Sequence, residues 1–241
     1  MKSVLFSLVV FIFSCGLTVA QESEPDSLVQ SSGFRSETLL VPSGLIALSM
    51  YSSFYWDENI QQQAIKWNGN TPLDNGLILV PGAAIYILDW CGIPSKHSFT
   101  DKTVIAATTA AFTLSSTFLL KATTRRMRPN ENSDQSFPSG HTAVAFACAE
   151  LLRQEYQDQS VWYGVAGYGI ASVSGFLRVY NNDHWFSDVL FGAGIGILSA
   201  QMAYYLYPTL KKIYTKNGKN DLSLFPSVSE HGFGLGLSAR F

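Results

Sequence analysis

The chain has 241 residues, room for one ordinary domain with a sizeable core. Only 14% are charged, against about 25% in typical soluble domains, which excludes a disordered chain and a heavily solvated surface. The formal charge of −2 excludes a polybasic nucleic-acid binder, and three cysteines (Cys15, Cys91, Cys148) are too few for a disulfide scaffold. What remains is a compact apolar domain. Its expected setting is a membrane, although a mean hydropathy of +0.13 leaves room for the buried helices of a soluble all-α domain.

Lys2, the apolar run Val4 to Phe13 and the small residues up to Ala20 predict a signal peptide over residues 1–20. An uncleaved anchor and a lipoprotein-type signal at Cys15 are the alternatives. Residues 21–38 form a polar, acidic leader. Leu39 to Trp56 is apolar but diluted by Pro42, Gly44 and four serines, so it is expected to lie along the interface or pack on the core. Asp57 to Asn75 reads as a polar connection, and Gly76 to Leu88 as an apolar segment. Thr103 to Leu120, Gln159 to Leu177 and Val189 to Leu210 carry no charge over 18, 19 and 22 residues, lengths suited to membrane spans. His141 to Leu152 reads as a shorter helix. The expected fold is therefore all-α: a bundle of about five to six helices, membrane-embedded, over residues 39–210.

After Leu210 the pattern changes. Lys211, Lys212, Lys216 and Lys219 form a basic stretch, and residues 222–225 and 233–241 alternate in period two around a turn at Ser229 to Gly232. Residues 211–241 are thus expected to be a basic segment ending in a short β-hairpin. A last strand of an outer-membrane barrel is the weaker alternative, because one hairpin cannot close a barrel.

The reactive residues gather at the ends of the apolar segments. Lys121 and Arg128 are seven apart in the run Lys121 to Pro129, so two helical turns would put them on one face. A snorkelling basic helix end would look the same. Ser139 and Gly140 precede a helix start, where backbone N–H groups and the helix dipole can hold an anion. A plain N-cap is the simpler reading of that pair. His141 stands beside them. His184 and Asp188 are four apart, one helical turn. A carboxylate that accepts one ring N–H leaves the other nitrogen free to attack. A structural His–Asp pair has the same spacing.

Together these clusters offer three cations (Lys121, Arg128, Arg178), one anion nest and two imidazoles. That inventory suits phosphoryl transfer in which side chains neutralise the phosphate oxygens. One histidine would attack phosphorus while the other protonates the leaving oxygen. No metal site and no cofactor is expected, because the His and Asp residues are interleaved with cations that would repel a divalent ion.

Lys121-x6-Arg128-Pro129, Pro138-Ser139-Gly140-His141 and Arg178-x5-His184-x3-Asp188 resemble the three-part signature of the type-2 phosphatidic acid phosphatase superfamily. That group comprises lipid phosphatases, soluble bacterial acid phosphatases and vanadium haloperoxidases. The resemblance spans about Leu77 to Pro208. It departs at Leu177, where the family usually has Ser before the arginine, so a Ser contact there is in doubt. It implies that His184 is the nucleophile, forming a phosphohistidine, with Asp188 orienting it at an open site. It implies His141 as general acid, and Lys121, Arg128, Arg178, Ser139 and Gly140 as the phosphate cradle. The stretch Tyr180 to Trp185 is similar to Gram-negative envelope enzymes acting on lipid A.

The expected partners are a phosphorylated lipid and the membrane, with no nucleic acid, and the sequence is silent on oligomeric state. Lipid A is the favoured substrate. Undecaprenyl diphosphate, phosphatidylglycerol phosphate, a soluble periplasmic acid phosphatase, a haloperoxidase and a silent lipid-binding protein are the other readings. The three motifs must meet at one membrane face, and Lys211-Lys212 marks the opposite end as cytoplasmic. The expected location is the inner membrane with a periplasm-facing site.

Overall fold

The computed structural model describes residues 36–67, 69–217, 221–229 and 232–240, with side chains over 37–67 and 69–212. The expected signal peptide and nearly all of the polar leader lie outside these residues. Among the described residues eight α-helices follow one another: α1 Leu40–Tyr55, α2 Asp57–Trp67, α3 Leu73–Leu77, α4 Val80–Trp90, α5 Phe99–Thr124, α6 Gly140–Tyr156, α7 Val161–Tyr180 and α8 Phe186–Asn217. A 3-10 turn over Ser36–Leu39 leads into α1. The all-α class is what the fold shows. The expected C-terminal hairpin is not part of it: helices alone carry the fold, and side chains beyond Lys212 lie outside the described residues.

The helix count exceeds the expected five to six because the polar connection Asp57 to Asn75 is itself helical. Asp57 and Glu58 stand in the first turn of α2 and Lys66 in its last, each favourable to the helix dipole. Its first two turns bury Asp57, Gln61 and Ala64 on one side. So little apolar surface leaves no hydrophobic stripe to read. Helices α5, α6 and α7 begin at serine caps. Ser98, Ser139 and Ser160 accept hydrogen bonds from the backbone N–H groups of Asp101, Thr142 and Trp162.

Helices α6 and α8 form the centre, with α7 and α4 packed on α6 and with α1 and α5 packed on α8. Small residues permit this. A Cβ added at Gly192 would come within 2.5 Å of the Ser139 carbonyl, and one at Gly196 would strike the Ala143 carbonyl. The pair Gly192 and Gly196 therefore lets α8 lie backbone-close against Ala143 and Ala147 of α6. That approach seats the start of α6 beside the start of α8, where Ser139 N–H donates to the Asp188 carbonyl at 3.0 Å. Ile46, Leu120, Phe137, Phe191 and Ile195 fill the space beneath.

Among the described residues three helices are long and apolar enough to cross a membrane: Glu37–Tyr55, Phe99–Thr124 and Phe186–Lys212. On that composition the chain is a membrane protein. The set differs from the expected spans at two places. Helix α7 falls outside it, since its glycines, serines and tyrosines dilute its hydropathy. Residues 37–55 fall inside it, and α1 packs on the core through Pro42, Ile46, Ser49 and Ser52.

Candidate active site

Four helix ends meet at one end of the bundle: the last turns of α5 and α7 and the first turns of α6 and α8. Alternating direction brings them there, as the three motifs require. The α7–α8 connection is tight. Asn181 N–H closes on Leu177 O at 2.8 Å and Asp183 N–H on Arg178 O at 3.0 Å, which turns the chain within five residues and delivers His184. His184 Nδ1 lies 3.6 Å from Asp188 Oδ2, one turn into α8 and just beyond hydrogen-bond length. Asp188 is fully buried and accepts further bonds from Trp185 N–H at 3.0 Å, from Arg126 Nη1 at 2.9 Å and from the Ser136 hydroxyl. It is thereby fixed from three chain segments.

His184 is 1% exposed, where an open site was expected. The polar connection 57–75 packs against the residues around it. Asp57, at the α1–α2 junction, accepts from Ser187 N–H at 2.9 Å, from Ser187 Oγ at 2.5 Å and from Arg126 Nη2 at 2.7 Å. It thus caps α8 from a distance and ties Arg126 between two carboxylates. Asp74 of α3 forms a buried ion pair with Arg178. Burial pushes the His184 imidazole below its ordinary pKa; Arg178 and Lys121 push the same way, and Asp188 opposes them.

The expected phosphate cradle is drawn together. Arg178 is 6% exposed and pairs with Asp183 at 3.1 Å as well as with Asp74. Arg128 lies 3.9 Å from the same Asp183. Lys121 donates to the Gln135 carbonyl at 2.6 Å, and its stem passes Gly140, whose added Cβ would sit 3.9 Å from Lys121 Cε. Ser139 turns its hydroxyl inward, 2.9 Å from Thr142 Oγ1, as an N-cap does. Its side chain is therefore committed to α6, while the first amides of that helix face the end of the bundle.

His141 sits half-buried at the first turn of α6. Its Nε2 lies 2.9 Å from Asn75 Oδ1 of α3, which leaves Nδ1 for proton transfer. Burial again lowers its pKa, as does Arg178, with Asp74 and Asp183 opposing. Among the described residues no three His, Cys, Asp or Glu side chains come together as a metal's ligands would.

The residues that sequence reasoning missed are Arg126, Ser136, Asp57, Asp74, Asn75 and Asp183. Arg126 stood in view inside the first basic run, but the seven-residue spacing singled out Arg128. Asp74 and Asn75 gave no signal, because they reach Arg178 and His141 across 104 and 66 positions of chain.

Residues 101–212 match the family model described as the PAP2 superfamily, the stretch that holds all three motifs. That stretch of the chain is a PAP2-superfamily segment. It is 38% identical over 165 residues to a lipid A 1-phosphatase of Porphyromonas gingivalis, a match covering 67% of this chain and 37% of that protein. The chain thus spans little more than a third of the length of that relative. Two crystal structures also resemble it. Aquifex aeolicus LpxE does so at 21% identity and a TM-score of 0.45, over 59% of this chain and 93% of that one. The transmembrane PAP2-type phosphatidylglycerolphosphate phosphatase of Bacillus subtilis does so at 20% identity and a TM-score of 0.41, over 74% and 98%.

Proposed function

We propose that this chain is an envelope lipid phosphatase that removes a phosphate monoester, with lipid A as its substrate. The observation that carries the reading is a buried His184–Asp188 pair ringed by Arg178, Arg128 and Lys121 at one end of a bundle of membrane-length helices. The named activity of the Porphyromonas gingivalis relative supports the choice of lipid.

His184 attacks phosphorus through Nε2, the nitrogen not turned to Asp188. The bond from phosphorus to the ester oxygen breaks, and His141 protonates that oxygen from Nδ1. Arg178, Arg128, Lys121 and the first amides of α6 hold the three equatorial oxygens, whose charge they offset most in the transition state. Water then attacks the phosphohistidine and gives its proton to His141, releasing inorganic phosphate and restoring both imidazoles. The acids paired with Arg128 and Arg178 hold those side chains in place until an anion arrives.

The reading includes a signal peptide over 1–20, a core over 39–210 and a tail over 211–241. It also places the protein in the inner membrane with the site facing the periplasm, on the argument that the α8 end bearing Lys211 and Lys212 is cytoplasmic. The test compares envelope lipids by mass spectrometry with and without the gene. Loss of one phosphate from lipid A only when the gene is present is expected. Unchanged lipid A with a change in another phospholipid would replace the substrate, and no change in any lipid would end the reading.

A further inference from the structure

Beside the reaction centre lies a second, open hollow. It is a cavity of about 310 Å³ lined by Phe118, Lys121, Ala122, Arg125, Asp134 and Gln135. The first four stand at i, i+3, i+4 and i+7 and so occupy one face of the last turns of α5. The chain after α5 folds back over that face. Arg128 N–H donates to Ser133 O at 2.8 Å and Ser136 N–H to Arg126 O at 2.9 Å, which brings Asp134 and Gln135 alongside.

Arg125 distinguishes this hollow. Every other arginine at this end of the bundle is ion-paired: Arg126 with Asp57 and Asp188, Arg128 with Asp183, Arg178 with Asp74 and Asp183. Arg125 is exposed, and the ion pairs and side-chain hydrogen bonds among the described residues do not include it. It also holds a left-handed backbone, φ 42°, at the C-cap of α5, a conformation that costs a non-glycine residue about 1 kcal/mol and marks a position worth explaining. Lys121 lines the hollow and also passes Gly140, so one lysine separates it from the phosphate cradle. At the other side Phe118 is 72% exposed, next to the outward-facing Leu114 and Leu119, on a helix long enough to span.

We infer that this hollow binds a second phosphate of the same lipid headgroup, close to the one attacked, with Arg125 as its principal ligand. Lys121 serves both phosphates, Gln135 offers a neutral donor, and Phe118 faces the acyl region. Two cations against the single acid Asp134 leave the lining net positive. A guanidinium with no internal partner binds phosphate bidentately without breaking an existing pair. The inference rests on the lipid-phosphatase reading and deepens it: the substrate class becomes a lipid bearing two phosphates.

The test uses the full chain in detergent with His184→Ala, so that binding is read without turnover. Three lipids with identical acyl chains serve as probes: a monophosphate, a diphosphate, and one with phosphates on two separate hydroxyls. Adding Arg125→Ala is expected to weaken at least one two-phosphate lipid about tenfold and the monophosphate less than about twofold. Which of the two responds tells whether the second phosphate is anhydride-linked or carried separately. Arg125→Lys should recover most of the loss, and Asp134→Asn should tighten the responding lipid. Equal weakening of all three lipids, or no change in any, overturns the inference. Failure of the wild-type chain to release phosphate from any lipid would instead end the phosphatase reading, while the binding difference at Arg125 is judged by itself.

Discussion

At the end of the bundle where α4 stops and α5 begins, Lys102 is 1% exposed and donates to the Ile85 carbonyl at 3.1 Å, to Asp89 and to Ser95 Oγ. Tyr156 donates to the same carbonyl at 2.8 Å, and Asp89 also receives Ser95 N–H at 3.0 Å. Beside them Glu155 takes His97 N–H at 3.0 Å, lies 2.9 Å from His97 Nδ1 and accepts from Tyr204 at 2.5 Å. This network is closed. The opposite end, where His184 lies, is as polar and as buried, yet three of the six unpaired buried polar atoms among the described residues are there: Arg128 Nε, Arg178 Nε and His184 Nδ1. The far network contributes none. A satisfied polar cluster rigidifies a fold, whereas orphaned donors cost stability unless something else repays them. On the proposed function, the difference separates a clamp from a site prepared for an anion.

The largest effect should come from His184→Ala, which abolishes turnover if His184 accepts the phosphoryl group. Rapid quench with labelled lipid should find the label on wild-type protein and none on the variant; label that survives the substitution would move the nucleophile elsewhere. Asp188→Asn and Arg126→Ala test whether orientation of that imidazole matters. Asp188→Asn should lower kcat by about 10²- to 10⁴-fold. Arg126 holds Asp188, Asp57 and the Ser187 hydroxyl in place, so its loss should lower kcat by about tenfold with KM little changed. A rise in KM at constant kcat would make Arg126 a substrate ligand.

The clamp end should behave in the opposite way. Lys102→Met removes the buried ammonium and leaves the partly exposed Asp89 and the Ile85 carbonyl without its hydrogen bonds, and should destabilise the protein by about 1–2 kcal/mol, with KM unchanged at temperatures where the variant stays folded. Thermal unfolding and initial rates on one preparation check this. Activity lost without loss of stability would erase the distinction between the two ends.

The smallest effect concerns pH. His184 must be neutral to attack, and burial lowers its pKa, so activity should fall on the acid side only below about 6.5. His141 must be protonated to act as acid; its lowered pKa brings the basic limb down as well, which sets the optimum on the acid side of neutrality. Asp74 opposes the lowering at His141, so Asp74→Asn should shift the basic limb further down, by less than about one pH unit. A limb that stays in place would separate His141 from it. Independently, activity should persist in EDTA and be inhibited by vanadate, as expected when side chains supply the positive charge.

Much of the core was legible. Uncharged runs of membrane length located α5 and α8, and Ser139 marked a helix start by its capping chemistry. Two of the motif pairs could be read because each lies on one helix turn: Ser139 with His141, and His184 with Asp188. Local spacing encodes such neighbours directly. Lys121 and Arg128 do not share a helix face as their seven-residue spacing predicted, because α5 ends at Thr124 in a left-handed cap and Arg128 lies in the loop beyond it. What lay outside that reach was every contact made across the chain. Asp57 and Asp74 were two polar residues in an apparent connection, and no spacing tells that they meet Arg126 and Arg178 more than sixty positions away.

The sequence by itself determined the helical class, the apolar surfaces and the chemical groups available, because hydrophobicity, capping and reactivity belong to residues and their near neighbours. Only the tertiary structure decided which cations were already neutralised and which were free, because ion pairing depends on distance in space. Arg125 and Arg126 are adjacent in the chain and identical in chemistry. The fold gives one two carboxylates and leaves the other facing an open hollow, and that assignment follows from where α1, α2 and α8 come to rest against one another.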